Sequence, residues 1–160
     1  MAIHFSSRNG EDVGYHCMNK FQTDLTFGKE AEKHVLKLIQ KKYPKAHAVE
    51  GECTAYDIFV PETLSGIEVK SDRQAHTTGN AFIEVKCNNS PSGICATKAE
   101  IWVYCTMERK YWLYSKQIAN MILMNETRVF HNRPIGESSV VLGHLIPIQT
   151  LEQYAMKVTA

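Results

Sequence analysis

The sequence predicts a single α/β domain with a layered α+β arrangement, in which a helix precedes a central mixed sheet of four to five strands and a second helix. Three observations indicate this class. An apolar stripe with helical spacing occupies residues 27–39, short apolar runs separated by turn formers follow it, and a second helical stretch begins at Ser115. The 160 residues, 44% of them hydrophobic, fit one domain, 1–160, with a core at 24–115 and peripheral additions at 1–23 and 116–160.

The first helix is indicated by apolar residues at spacings of three and four, namely Phe27, Ala31, Val35, Leu38 and Ile39. Asp24 or Thr26 is the expected N-terminal cap, and Pro44 is expected to end the helix. Four lysines fall on the opposite face at 100° per residue: Lys29, Lys33, Lys37 and Lys41. Glu32 lies at the border of the apolar stripe, so its carboxylate is expected to point along the surface that the helix covers.

The remaining elements follow from short apolar and β-branched runs. Strands are expected at 46–49, 55–60, 66–70, 81–87, 101–106 and 111–114, and late strands at 140–148. Turn formers at 61–66 make the second and third of these strands a hairpin. The second helix is expected at 115–124, with Ser115 as its cap.

Composition limits the class of protein. No apolar run approaches the ~20 residues of a membrane helix, and residues 1–9 lack the apolar core of a signal peptide, so we expect a cytoplasmic protein without a membrane partner. Five dispersed cysteines without a CxxC pair favour free thiols over a zinc site. The sequence has neither a phosphate-binding glycine loop nor a Gly-x-Ser-x-Gly elbow, which disfavours a nucleotide-hydrolysing motor and a serine hydrolase.

Charge is segregated along the chain although the net charge is only +1. Residues 29–45 carry six lysines against two glutamates, whereas residues 46–70 carry five acidic residues against one lysine. Binding of a polyanion such as DNA would therefore depend on a local basic surface. The plain alternative is a solvated helix face followed by a polar-edged sheet.

Two predicted strands bring together an acid, a second acid and a lysine. Residues two apart in a strand share a face, so Glu68 and Lys70 point the same way, and Asp57 lies across the hairpin from them. Two carboxylates suit a hard divalent cation such as Mg²⁺, with the Val69 carbonyl as a third protein ligand. Such a site is suited to hydrolysis of a phosphodiester, in which Lys70 would orient the attacking water or stabilise the transition state.

Asp57, ten intervening residues and then Glu68-Val69-Lys70 resemble the signature of the PD-(D/E)xK nuclease superfamily, although Tyr56 stands where proline is common. The stretch from Phe27 to Glu32 resembles the opening helix of the archaeal Holliday-junction resolvase and phage-type branches, in which a glutamate stands four residues after a glycine. The resemblance covers residues 24 to about 105.

The resemblance implies a restriction-endonuclease-like core and a Mg²⁺- or Mn²⁺-dependent deoxyribonuclease that leaves a 5′-phosphate. It implies Asp57, Glu68 and Lys70 as catalytic residues, and Glu32 as the helical acid that helps to hold the metal or its water. By analogy, cutting both strands implies a homodimer, and a phage-encoded enzyme would act in the host cytoplasm.

Glu-x-Lys occurs three times, so the first occurrence has competitors. Glu108 and Lys110 lie in a predicted hairpin turn and are expected to be solvated surface. Glu84 and Lys86 have flanks as apolar as those of the first pair, but their upstream acid, Asp72, has no strand character to hold it. We therefore prefer the first pair and expect Glu84 and Lys86 to lie beside the site, on a paired strand.

Candidate contacts to DNA come from the basic helix face and from polar loops. They are Lys33, Lys37, Lys41, Asn80, Glu84, Lys86, Ser92 and Lys98. Two alternatives to a nuclease remain open. One is a nuclease-like scaffold that binds DNA or assembles without cleaving, and the other is an unrelated α/β protein in which the three charged residues form a surface salt-bridge ladder.

Overall fold

The computed structural model describes residues 12–51, 55–124, 128–132 and 140–160. The helices within these ranges are α1 (Asp12–Gln40), α2 (Ala75–Thr78), α3 (Ser115–Leu123) and α4 (Ile148–Tyr154), with one 3₁₀ turn at Gly93–Cys95. The strands are β1 (His47–Ala48), β2 (Ile58–Val60), β3 (Ser65–Ser71), β4 (Asn80–Cys87), β5 (Ser90–Pro91), β6 (Ile101–Cys105), β7 (Lys110–Tyr114), β8 (Arg128–Asn132), β9 (Val141–Pro147) and β10 (Lys157–Thr159).

The main sheet is mixed, as the sequence predicts, and the α/β class is confirmed. Its strand order is β1-β2-β3-β6-β7-β10, in which β3 and β6 run parallel and the other neighbours run antiparallel. The sheet has six strands rather than four to five. The strand that no sequence pattern indicated is β10, which is only three residues long and lies at the edge.

A second sheet corrects the prediction for residues 81–87. They form β4, which pairs with β9 and β5 in a four-stranded antiparallel sheet of order β5-β4-β9-β8, not with a strand of the main sheet. The physical reason is the parallel pairing of β3 and β6. Parallel neighbours need a crossover that leaves the sheet plane, and the chain between them carries β4 out of the main sheet.

Helix α1 is longer than the apolar stripe indicates, beginning at Asp12 and ending before Pro44 as predicted. Neither proposed cap lies at its start. The Thr26 hydroxyl donates to the Gln22 carbonyl inside the helix (2.9 Å), and the Asp24 carboxylate accepts from Arg73 (3.0 Å). No helix within the described ranges, α1 included, is long and apolar enough to cross a membrane.

The second predicted helix, α3, is confirmed, but Ser115 does not cap it. The N-cap residue is Tyr114, whose N–H donates to the side-chain oxygen of Gln117 (2.9 Å). The Ser115 hydroxyl instead donates to the Ala99 carbonyl (2.7 Å) and so ties α3 to the loop before β6. Within the range 140–148, where late strands were expected, the structure has the single strand β9 (Val141–Pro147), and α4 begins at Ile148.

Two apolar clusters cover opposite faces of the main sheet. The first joins α1 to the sheet through residues such as Val35, Ile67 and Val69. The second joins the other face to the second sheet, α3 and α4, and contains Trp102 and Tyr104. Glu68 and Lys70 are in register with Trp102 and Tyr104 on the parallel neighbour, so they face the second sheet.

Candidate active site

Asp57 is anchored at the point where β2 begins. Its Oδ2 accepts a hydrogen bond from the Val69 N–H (2.7 Å), so the carboxylate bonds to the backbone of β3 just outside the paired region. The Asp57 backbone is fixed as well, because its N–H donates to the Ile67 carbonyl (3.0 Å) and its carbonyl accepts from the Val49 N–H (2.8 Å). The side chain therefore has little freedom to leave the position opposite Glu68 and Lys70.

Glu68 is anchored by a residue that the sequence analysis did not assign to the site. The Thr97 hydroxyl donates to Glu68 Oε2 (3.2 Å), and the Ala99 N–H donates to the Thr97 oxygen (3.1 Å). Thr97 lies 29 residues from Glu68, in the loop before β6. No local sequence pattern could have indicated it, because the parallel pairing of β3 and β6 brings the two residues together.

The predicted charged groups share one electrostatic environment. Burial raises the pKa of Asp57 above its ordinary value, although the Val69 N–H and Lys70 oppose the rise. Burial also raises the pKa of Glu68, as does the neighbouring Asp57, whereas Lys70 and the Thr97 hydroxyl oppose it. Asp57 and Lys70 thus act electrostatically on the Glu68 carboxylate, and Lys70 acts on that of Asp57.

Glu32 belongs to the same group of charges. Its pKa is raised first by burial and then by Asp57, and it is lowered by Lys29 and Lys70. Glu32 is exposed on α1, and Asp57 and Lys70 act on it electrostatically. Lys29, three residues earlier on the same helix, was predicted only as part of the basic face; the i, i+3 spacing could have linked it to Glu32.

The salt-bridge ladder proposed as an alternative is not formed. The ion pairs within the described ranges are Arg73–Asp24, His76–Glu108 and Arg109–Glu152, and Lys70 is in none of them. Lys70 thus influences three carboxylates without lying within ion-pair distance of any one. The charges of the hairpin are therefore not paired across its strands.

The donor set at this place fits a small hard cation. One oxygen of Asp57 and one of Glu68 are held by Val69 N–H and Thr97, and no described residue donates a hydrogen bond to the other oxygen of either carboxylate. Within the described ranges, no group of three or more His, Cys, Asp and Glu side chains is arranged as a metal site. A cation here would need the two carboxylates, a backbone carbonyl such as that of Val69, and water or phosphate oxygens, which is a common set for Mg²⁺.

Glu68→Gln is expected to raise the melting temperature of the metal-free protein at pH 7 by about 2–4 °C. The raised pKa of Glu68 means that the folded state binds the proton more tightly than the unfolded state. Stability therefore falls as pH rises from the ordinary carboxyl pKa through the raised one. Glutamine can still accept from Thr97 but carries no charge.

Calorimetric melting of the two proteins across pH checks this expectation, with Glu30→Gln on the exposed face of α1 as the control. The gain from Glu68→Gln should disappear below about pH 4, where the glutamate is protonated in both states. A lower melting temperature at pH 7, or a gain that persists in acid, would contradict it.

An open cleft of about 530 Å³ lies beside these charges, between α1, the end of β3 and the second sheet. Lys70 lines this cleft, and so does Glu84 of the competing Glu-x-Lys pair. Asp72 lines the cleft too. The sequence analysis expected that this acid would not be held in place, and the structure shows that it is. Its Oδ1 accepts from the N–H groups of Gln74 (2.8 Å) and Ala75 (3.0 Å), and its Oδ2 accepts from the Tyr104 hydroxyl (2.6 Å).

The second Glu-x-Lys pair is divided by a register shift. The pairing of β4 with β9 is irregular between Glu84 and Lys86, a β-bulge that re-aims the side chains on either side. Glu84 lines the cleft and accepts a hydrogen bond from the Ser92 hydroxyl, whereas Lys86 is exposed and is not part of the cleft wall. Lys98 is exposed and follows Thr97, beside Glu68.

The lysines predicted to contact DNA do not all lie near the site. The pKa of His34 is lowered chiefly by Lys110 on β7, then by burial, and then by Lys37 and Lys41. His34 and Glu32 lie about 200° apart on α1. Lys37 and Lys41 therefore lie on the flank of α1 that faces β7, away from the flank that carries Glu32. Lys33 is exposed between the two flanks.

Comparison of the chain with models of protein families, with curated proteins and with solved structures found no match. No relative therefore provides a function by similarity. A function is therefore inferred from the chemistry of four charged residues, Glu32, Asp57, Glu68 and Lys70.

Proposed function

We propose that the protein is a Mg²⁺-dependent deoxyribonuclease with a restriction-endonuclease-like core. In this proposal Asp57 and Glu68 hold the metal together with the Val69 carbonyl, Lys70 acts on the attacking water, and Glu32 assists. The main support is the position of Asp57 opposite Glu68 and Lys70 on the β2–β3 hairpin, with one oxygen of each carboxylate held by Val69 N–H or Thr97. Asp57 raises the pKa of Glu68, and a divalent cation between two such carboxylates would stabilise their charged forms.

The topology supports the same proposal. Helix α1 packs on an antiparallel β1-β2-β3 meander, and β3 continues through a crossover to the parallel strand β6. This matches the helix and mixed sheet that the resemblance implies. The crossover differs, because it contains the four-residue helix α2 and strands of the second sheet in place of one long helix.

The residues of the chain have distinct tasks in the reaction. Mg²⁺, when bound, would lower the pKa of a water molecule and neutralise charge on the scissile phosphate. Val69 N–H and Thr97 hold the Asp57 and Glu68 carboxylates in place before substrate binds, which removes a reorganisation cost. The Lys70 ammonium would orient the attacking water or stabilise the charge that develops on the phosphate. Glu32, a carboxylate of raised pKa, is suited to accept a proton from the attacking water.

The test is cleavage of plasmid, linear and branched DNA by the purified protein in Mg²⁺, in Mn²⁺ and in EDTA. We expect cleavage in both metals, none in EDTA, and 5′-phosphate ends on the products. Asp57→Asn, purified in the same way, is the control for a contaminating nuclease. Asparagine still accepts the Val69 hydrogen bond but lacks the charge that would hold the metal. This variant should fold, bind DNA and not cut it.

Two results would replace the proposal. DNA binding that weakens with salt, without turnover in either metal, would identify a nuclease-like scaffold that binds or assembles on DNA. Equal cleavage by wild type and Asp57→Asn would mean that Asp57 is not part of the catalytic site. Cutting both strands of a duplex would in addition require two copies of the chain, so a homodimer belongs to the same proposal.

A further inference from the structure

The face of the main sheet that carries Glu68 also carries aromatic side chains at its β1–β2 end. Phe59 pairs with Gly66 on one side and with His47 on the other, and cross-strand partners share a face, so all three lie on the face of Glu68. Among the described residues, those of the second apolar cluster lie on other elements, and Phe59 belongs to neither cluster. A half-buried ring outside the core of a sheet needs an explanation, because such positions are usually polar.

Three rings follow one another across this end of the sheet, and we call them the aromatic row: Tyr56, Phe59 and His47. The rings of Tyr56 and Phe59 are nearly parallel, with 21° between their planes and 5.7 Å between their centroids. The His47 ring meets Phe59 edge-on at a centroid distance of 5.9 Å. Its Nδ1–H donates to the Lys45 carbonyl (3.0 Å), since a carbonyl can only accept, and this bond fixes the ring. Each side chain of the row keeps part of its surface in solvent.

Gly66 explains how the Tyr56 ring comes to lie over β3. A Cβ at position 66 would come within 2.3 Å of a ring carbon of Tyr56, so any other residue would push the ring off the strand. Glycine weakens the interior of a strand and often marks a place where another group approaches closely. Gly66 and Glu68 are two residues apart on one face, about 7 Å along β3, and Tyr56 is bonded to Asp57. The aromatic row therefore begins directly beside the proposed metal ligands.

The chemistry of the row is suited to unpaired nucleobases. Successive bases of a single strand stack on aromatic side chains whatever their sequence, and a sheet face with several rings is a common way to present them. A cation is available for the backbone of such a strand. Lys98 is exposed and forms no ion pair with a described residue, and its N–H donates to the carbonyl of Ala55, the residue before Tyr56 (3.0 Å). Its ammonium can therefore meet a phosphate of a strand whose bases lie on the row.

We propose that the aromatic row binds unpaired nucleotides next to the phosphate that is cut at Asp57 and Glu68, with bases on Tyr56 and Phe59 and a backbone phosphate at Lys98. That the strand is DNA and is cut at this place rests on the proposed function. The row leads from β3 to the edge strand β1, so the unpaired nucleotides lie on one side of the cut. The substrate class is therefore DNA that is single-stranded on that side, because the bases of an intact duplex are stacked on one another.

Binding without cleavage tests this inference. Fluorescence anisotropy in EDTA would compare a single DNA strand with an abasic strand of the same length, which has the same phosphates but no bases. Wild type should bind the strand with bases at least about tenfold more tightly. Phe59→Leu should weaken that binding by about 5- to 100-fold, the range for loss of one stacked base, and should not change binding of the abasic strand. Lys98→Gln should weaken binding of both strands by the same factor, because it removes a phosphate contact.

Two variants control for structural damage. Phe59→Tyr keeps a ring and should retain the preference for the strand with bases, whereas Tyr154→Leu removes an exposed ring on α4, outside the row, and should change nothing. Equal affinity of wild type for the two strands would overturn the proposal, and this comparison needs no variant. So would wild-type binding by Phe59→Leu, or an equal loss in Phe59→Tyr. Tighter binding of an RNA strand of the same sequence would overturn the assignment to DNA.

The two proposals fail separately. If a single strand binds through Phe59 but no metal supports cleavage, only the nuclease is wrong. If the protein cleaves DNA but neither its binding nor its rate responds to Phe59→Leu, only the role of the aromatic row is wrong.

Discussion

Lys70→Met is expected to lower the single-turnover rate of Mg²⁺-dependent DNA cleavage by about 10²–10³-fold, with little change in DNA affinity. Methionine keeps the apolar stem of the side chain but removes the ammonium that lowers the pKa values of Glu32, Asp57 and Glu68. Since the amine is within ion-pair distance of no described carboxylate, its loss should not break a salt bridge that holds the fold. The rate under saturating enzyme is the measurement.

Lys86→Met is the matched control, because Lys86 occupies the same position in the second Glu-x-Lys pair. It is exposed beyond the β4 bulge, so its replacement should change the cleavage rate by less than about twofold. The reverse pattern, with Lys86 required and Lys70 dispensable, would move the site to Asp72 and Glu84. Both of these acids line the cleft, so that outcome would have a structural explanation.

Tyr104→Phe is expected to lower the free energy of unfolding by about 2–3 kcal/mol. The Tyr104 side chain is 1% exposed, and its hydroxyl accepts from the Phe82 N–H (3.1 Å) while donating to Asp72 Oδ2 (2.6 Å). Phenylalanine fills nearly the same volume but leaves both partners unsatisfied near the core. The hydroxyl also joins the main sheet to the second sheet, so its loss should loosen the cleft.

Urea unfolding followed by circular dichroism measures this effect, and Tyr154→Phe on the surface of α4 should change the free energy by less than about 0.5 kcal/mol. A Tyr104→Phe protein as stable as wild type would mean that water replaces the hydroxyl without cost. In that case Asp72 would not depend on Tyr104 for its position.

The placement of the four predicted site residues on their helix and strands could be predicted because it depends on short-range geometry. The 3.6-residue period of α1 places Glu32 at the border of the helix, and the two-residue period of β3 places Glu68 and Lys70 on one face. The hairpin turn after β2 then brings Asp57 opposite them. Each step involves residues that are close in sequence, so local patterns were sufficient.

The surroundings of the site could not be predicted, because they depend on contacts between distant residues. The distance of 29 residues between Thr97 and Glu68, and of 32 between Asp72 and Tyr104, leaves no periodic signal. The same is true of β4, whose alternating pattern fits either sheet; only its pairing with β9 decides between them. Asp72 was misjudged for a related reason, since backbone N–H groups of a turn hold it rather than a strand.

The second sheet combines β4 and β5, which precede β6, with β8 and β9, which follow α3. As the chain leaves the ribosome, Asp57, Glu68, Lys70 and Thr97 emerge before β8 and β9. Pairing of β4 with β9 closes a loop of more than 50 residues, so it should be among the slowest steps of folding. The acidic residues of the β2–β3 hairpin would therefore be synthesised before the second sheet, which lines the cleft, is complete.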